Sequence, residues 1–162
     1  MKILVTGGAG FIGANLVRSL CSRPDVEDVV VIDNLSFGFR SNIDDLNVTF
    51  LEGSILDRRL VAEAMDGTSS VVHLAARSSV PRSIAHPMAA HEDNATGTAV
   101  ILEAARSESD VQVIVASSSS VYGANETLPK HEGLAPRPVS PYAATKLATE
   151  SYTLAWGHSY DM

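Results

Sequence analysis

The segment Thr6-Gly7-Gly8-Ala9-Gly10-Phe11-Ile12-Gly13 lies between a β-branched apolar run, Lys2–Thr6, and an amphipathic stretch, Ile12–Ser22. A strand that enters a glycine cluster and leaves it as a helix restricts the chain to few folds. The glycines allow a sharp turn and let backbone amides approach an anion, and the helix N-terminus adds partial positive charge. Gly13 has no side chain, so helix and sheet can pack closely. A glycine cluster alone is weak. Here Asp33 stands 20 residues beyond Gly13, at the end of a second apolar run, Asp28–Asp33. An acid there is expected to accept hydrogen bonds from both hydroxyls of an adenosine ribose and to repel a 2′-phosphate. Asn34 follows it, not an arginine that could neutralise such a phosphate. The pattern predicts a dinucleotide site for NAD rather than NADP.

Three more apolar runs, Val48–Glu52, Ser70–Ala75 and Val111–Ser117, read as strands buried on both faces. Helical patterns at Ile12–Ser22, Asp57–Met65, about Pro87–Arg106 and from Ser140 toward Trp156 alternate with them. That alternation predicts an α/β fold: one Rossmann-type, doubly wound parallel sheet of order 3-2-1-4-5 with helices on both faces. At 162 residues the chain is one domain's worth, and 45% apolar with 19% charged residues suits a packed core. A net charge of −7 with scattered cations argues against nucleic-acid and anionic-membrane surfaces. No run approaches the ~20 apolar residues of a spanning helix. Cys21 has no partner for an internal disulfide, so a soluble cytoplasmic protein is expected. The 17 residues of 123–139, with Pro129, Gly133, Pro136 and Pro138, show no periodicity; they are either a functional loop or a surface excursion.

Ser140-Pro141-Tyr142-Ala143-Ala144-Thr145-Lys146 reads as a helix start. Ser140 suits the N-cap and Pro141 the first helical position, so Tyr142 and Lys146 share a face one turn apart. An ammonium beside a phenol favours the phenolate, and a base near neutral pH is what abstraction of a sugar hydroxyl proton requires. Ala116-Ser117-Ser118-Ser119-Ser120-Val121-Tyr122-Gly123 closes the fifth strand, at the sheet edge where ligands of open α/β sheets bind. A serine there could bond a substrate oxygen, or belong to a solvated loop.

Together these motifs resemble the extended short-chain dehydrogenase/reductase family, also called the NAD-dependent epimerase/dehydratase family, over nearly the whole chain. The resemblance implies that Gly7, Gly10, Phe11, Ile12 and Gly13 form the cofactor fingerprint and Asp33, Asn34 and Ser36 the ribose segment. His73-Leu74-Ala75-Ala76 is similar to the fourth-strand motif, which places Leu74, Ala75 and Ala76 along the cofactor. Asn94 matches the asparagine of the long central helix, and Ser54 and Ile55 fall at the adenine. Tyr142 and Lys146 match the catalytic pair, and the Val121-Tyr122-Gly123 spacing puts the catalytic serine at Ser118. Implied roles are Tyr142 as base at a sugar 4-hydroxyl, Lys146 as partner of the nicotinamide ribose and Ser118 as proton relay and substrate contact. Ser79 and Ser83 resemble residues beside the sugar and phosphates.

Dehydratases and decarboxylases of this family carry an acid just after the catalytic Ser/Thr; this chain has Ser119 and Ser120. The resemblance is therefore greatest to 4-epimerases of UDP-glucose, UDP-N-acetylglucosamine or UDP-glucuronate, with a 4,6-dehydratase or decarboxylase as alternatives. It implies a homodimer through the helices at 87–106 and 140–156. It further implies that residues 1–162 are the NAD-binding domain, ending before a sixth strand and a substrate domain. A catalytically silent NAD-binding module is the alternative of a different class. Ser54 replaces the family's usual adenine-contacting aspartate, so adenine recognition is expected to be weaker or to rely on backbone. No histidine spacing suggests a metal. His73 is expected to pack at a strand end, His86, His91, His131 and His158 to face solvent, Cys21 to fill core, and Tyr152 and Trp156 to make core or dimer contacts.

Overall fold

The computed structural model describes residues 1–108 and 110–162. Five parallel strands, β1 (Lys2–Thr6), β2 (Asp28–Asp33), β3 (Thr49–Glu52), β4 (Ser70–His73) and β5 (Gln112–Val115), form one sheet of order β3-β2-β1-β4-β5. β1 lies at its centre because its residues Leu4 and Val5 are fully buried, one toward each face. Leu4, Val30, Ile32 and Val71 pack with Val61, Met65 and Ile101 on one face; Ile3, Val5, Val29 and Val31 pack with Ala14, Val17 and Ile43 on the other. Helices therefore cover both faces, as the near-continuous apolar runs require. Each of these Val, Leu, Ile and Met side chains contributes about 1.5–3 kcal/mol by leaving water.

Register places the strand ends together. Thr6 pairs with Ile32 on one side and His73 on the other, and His73 pairs with Val115. Strands β4 and β5 are shorter than the apolar runs at 70–75 and 111–117 because the chain leaves the ladder once Leu74 N and Ala116 N have bonded Thr6 O and His73 O. The freed segments cross the carboxyl edge of the sheet.

Helix α1 (Phe11–Cys21) starts at Gly10, and α2 (Arg58–Met65) starts at Asp57, whose carboxylate accepts from Arg59 N and Leu60 N. A short helix, α3 (Val80–Ala85), was not expected; Ser79 caps it by accepting from Arg82 N. The helix expected over 87–106 is α4 (Pro87–His91), a π-helical turn at Glu92–Thr96 and α5 (Gly97–Ala105). Such turns insert one residue and commonly occur at functional sites. The last helix, α6 (Pro141–Tyr160), begins as expected, with Ser140 Oγ accepting from Ala143 N, and continues beyond Trp156.

Cys21 is exposed, not a core filler: it is the last residue of α1, and its thiol lies 3.7 Å from Asn47 O. Partial desolvation of the thiol pushes its pKa up. The 123–139 loop is fastened at its base by Ala124 N to Arg137 O and Arg137 N to Val121 O, at 3.0 and 2.9 Å. His73 is buried at its strand end and the other four histidines are exposed. Among the described residues no helix is long and apolar enough to cross a membrane, and no group of His, Cys, Asp and Glu could hold a metal.

Candidate active site

A cleft of about 470 Å³ runs along the carboxyl edge of the sheet, within the size range of small-molecule sites. Gly7 and Gly10–Gly13 line one wall, Asp33, Asn34 and Ser36 with Ser54 and Ile55 one end, and Leu74–Ala76 the floor. Ala116, Ser117, Tyr142 and Lys146 complete it.

The turn has its shape because two glycines stand where side chains cannot. Gly7 has φ +72°, and a Cβ there would lie 2.7 Å from Ala75 N. A Cβ on Gly13 would overlap Gly7 O. Gly10 N donates to Gly7 O at 3.1 Å, and no side chain caps α1, so its first-turn amides face the cleft unclaimed. Asp33 is 8% exposed; its Oδ2 accepts from Ala9 N at 3.0 Å and its Oδ1 from Leu35 N at 2.8 Å. Each oxygen keeps a lone pair for a further donor. Ser54 Oγ accepts from Leu56 N at 3.2 Å.

Tyr142 is placed by three groups. Ser140 caps the helix, Pro141 opens it, and Ser83 Oγ accepts from Tyr142 N at 3.0 Å. Lys146, one turn on, is 5% exposed and donates from Nζ to Ala116 O at 2.8 Å. Burial lowers its pKa to about 8, since the charged form is desolvated. Asn94 is 1% exposed; its Oδ1 accepts from Arg77 N at 2.7 Å, and its Nδ2 donates to Thr145 Oγ1 at 2.9 Å. It fastens the segment after β4 to the helix of the Tyr–Lys pair.

The sequence of residues 3–162 matches the model of the NAD dependent epimerase/dehydratase family. The chain belongs to this family. It is 40% identical to the UDP-glucose 4-epimerase of Erwinia amylovora, over 93% of this chain and 47% of that protein. It is 35% identical to the dTDP-glucose 4,6-dehydratase of Mycolicibacterium smegmatis, over 99% of this chain and 50% of that one. The crystal structure of UDP-glucose 4-epimerase from Brucella ovis in complex with NAD superposes with a TM-score of 0.92 at 36% identity, covering 99% of this chain and 49% of that chain. The chain thus spans about half the length of the curated relatives it matches.

Within the epimerase/dehydratase frame, most expected cofactor residues gather at the cleft. Four expected residues, Asn94, Ser79, Ser83 and Ser118, are not part of its lining. The side-chain amide of Asn94 holds the Arg77 main chain and Thr145, Ser79 caps α3, and Ser83 is fully buried with its hydroxyl donating to Val80 O. Ser118 caps the 3₁₀ turn Ser119–Tyr122, accepting from Ser120 N at 3.2 Å, while its neighbour Ser117 lines the cleft. Sequence reading missed Ile32, Phe37, Gly38, Gly53 and Asp93 in the lining. Phe37 is half exposed, with the guanidinium carbons of Arg77 and Arg82 at 5.5 and 5.1 Å from its ring centre, and Arg77 pairs with Asp93 at 2.7 Å. An aromatic in an aperiodic loop carries no spacing signal; Gly38, whose Cβ would lie 2.7 Å from Ala9 C, was the one trace of that close approach.

Proposed function

We propose that this chain is the NAD-binding half of a nucleotide-sugar 4-epimerase of the UDP-glucose/UDP-galactose type. The observation that carries the choice is the pair Ser119 and Ser120 after Ser118, where a dehydratase or decarboxylase would need a carboxyl group. Abstraction of a proton from sugar C5 then has no agent there, whereas reversible oxidation at C4 needs only a base at the hydroxyl.

The residues present fit NAD. Unclaimed amides at the start of α1 suit a pyrophosphate, and Asp33, with spare lone pairs on both oxygens, suits the ribose hydroxyls. Bound NAD would supply the hydride acceptor and donor. Tyr142 would take the proton of the sugar 4-hydroxyl and return it after the sugar has turned over. Lys146, held by Ala116 O, would steady the phenolate and bond the nicotinamide ribose. Ser118 would offer its hydroxyl to the same sugar oxygen, and Ser79 would lie beside the sugar. Ser83 contributes through the Tyr142 amide.

The two long helices support a homodimer. Leu154 is 73% exposed, and Tyr152, Trp156 and Tyr160 stack edge to face with centroids 5.9 Å apart along α6. An isologous pairing of α4–α5 and α6 would cover them. The lone thiol suits a reducing cytoplasm.

The test is product identity. The full-length product of the gene is incubated with NAD and UDP-galactose, UDP-N-acetylgalactosamine or UDP-galacturonate, and the sugar is analysed by NMR. The expected product is the C4 epimer with no net NADH. A dehydrated 4-keto product would replace the epimerase reading with dehydratase, and NAD binding without any turnover would leave a silent module.

A further inference from the structure

A buried polar chain crosses the molecule behind the cleft, and His73 is its centre. Thr6 ends β1 and His73 ends β4, in register, with Thr6 Oγ1 and His73 Nδ1 2.6 Å apart. On the other side of the ring, Nε2 lies 3.2 Å from Thr98 Oγ1 on α5. Thr98 Oγ1 is in turn 3.1 Å from Thr149 Oγ1, on α6 one turn beyond Thr145. Thr6, His73, Thr98 and Thr149 are each at least 96% buried, and none of them lines the cleft.

Each hydroxyl has one proton, and the geometry allots it. Thr98 Oγ1 lies 2.6 Å from Asn94 O, which can only accept, so Thr98 donates there. His73 Nε2 must then be the donor toward Thr98. Nδ1 is left with its lone pair and takes the Thr6 proton. Thr6 Oγ1 is thereby free to accept from Ala75 N, 3.2 Å away on the cleft floor. Thr98 can then only accept from Thr149, whose one proton has Thr98 Oγ1 at 3.1 Å and Thr145 O, within α6, at 3.2 Å as acceptors; the link to α6 is made when it points to Thr98. A doubly protonated ring would break this allotment: Thr6 would face two donors, Nδ1–H and Ala75 N–H, with its own proton unpartnered.

We propose that His73 is a positioning residue whose neutral Nε2–H tautomer ties the cofactor floor at Ala75 to the helix bearing Tyr142 and Lys146. Thr6 and Ala75 are one end of the tie; Thr98 and Thr149 are the other. The ring's surroundings agree. Burial, and secondarily the Lys146 charge from α6, lower the His73 pKa to about 3. A cation at His73 would add a second positive charge facing Lys146, which the neutral ring avoids.

The proposal rests on the NAD reading, and its test separates the two. Long-range ¹H–¹⁵N NMR of the free chain reports the tautomer without any variant. The expected spectrum has a protonated Nε2 and a bare Nδ1, unchanged from neutral pH to pH 5. Calorimetry then compares NAD affinity of the parent, Thr98→Val and Thr98→Ser. Thr98→Val removes the acceptor of Nε2–H, so Nδ1–H should appear in the spectrum and NAD should bind about three- to tenfold more weakly. Thr98→Ser should restore both. A purely structural role would lower the melting temperature while leaving tautomer and NAD affinity unchanged. If Thr98→Val does not fold, Thr6→Val against Thr6→Ser makes the same comparison from the other end. A ring protonated at Nδ1, a His73 that titrates near its ordinary value, or a Thr98→Val chain that binds NAD as tightly as the parent would overturn the proposal. A parent chain that does not bind NAD at all would sink the cofactor reading itself, and the positioning role with it.

Discussion

Lys146 on α6 donates a hydrogen bond to the main-chain oxygen of Ala116, just past β5, at 2.8 Å. A charged side chain on the last helix is thus tethered to the sheet edge and buried there. Its ammonium is desolvated, which holds the pKa near 8 rather than 10.5. The unfolded chain therefore binds the proton more tightly than the folded one. Below pH 8 both states hold it and folding carries the full penalty; between pH 8 and 10.5 the folded state sheds it and stability rises with pH. The penalty at neutral pH is of order 3 kcal/mol, from 1.36 kcal/mol per pKa unit. Lys146→Met should accordingly stabilise the chain by about 1–2 kcal/mol at pH 7, after loss of the Ala116 bond. It should also flatten the alkaline rise. Urea unfolding as a function of pH measures both. A Lys146→Met chain less stable than the parent would show that the tether outweighs the burial of charge.

His73 acts in the same direction on the acid side. Its ring is neutral when folded, with a pKa near 3 against 6.5 when free, so stability should fall as pH drops below 6.5. The loss accrues because the unfolded chain takes up a proton that the folded ring refuses. His73→Asn should show a shallower slope between pH 6.5 and 4.5 than the parent, although it starts less stable. An unchanged slope would place the acid sensitivity elsewhere.

Asp33 shapes the turn and, in the proposed function, would read the ribose. Its two oxygens hold Ala9 N and Leu35 N, so Asp33→Ala should cost about 1–3 kcal/mol of stability as well as NAD affinity. Asp33→Asn, which keeps one acceptor oxygen and removes the charge, should retain more stability yet narrow the gap between NAD and NADP. Calorimetry with both cofactors checks this. Equal affinity for the two in the unmodified chain would contradict the role given to the carboxylate.

Gly7 has no room for a methyl group. Its φ of +72° disfavours any L side chain by about 1–2 kcal/mol, and a Cβ would press on Ala75 N. Gly7→Ala should lower the melting temperature and reduce NAD affinity at least tenfold, because the turn and the cleft floor must separate. Retained affinity would mean that the floor yields at little cost.

These residues also show what could be read in advance. The glycine turn, Asp33 and the alternation of runs are local patterns, and each dictates local geometry; strand order followed. The Tyr142–Lys146 spacing carried their shared face for the same reason. Helix α3 was not legible: six residues that include Pro81 give no periodicity, and its worth lies in Ser83 reaching the amide of Tyr142, 59 residues away. The π turn arises from packing of Asn94 and Thr98 between β4 and α6, which no window of sequence contains. Cys21 fits the apolar phase of α1, but it is the helix's last residue and its thiol turns to Asn47 O rather than into the core. Phe37 has its neighbours, Arg77 and Arg82, some forty residues on.

The measurement that bears most directly on the proposed chemistry is C4 epimerisation of UDP-galactose by the full-length gene product and by its Tyr142→Phe variant, with NAD affinity measured on both. The phenol is assigned to proton transfer and its amide, not its hydroxyl, to packing against Ser83. The expected result is a loss of about 10²-fold or more in turnover with NAD affinity within about twofold of the parent. A Tyr142→Phe variant that keeps more than about a tenth of parental turnover would contradict the assignment of Tyr142 as the base.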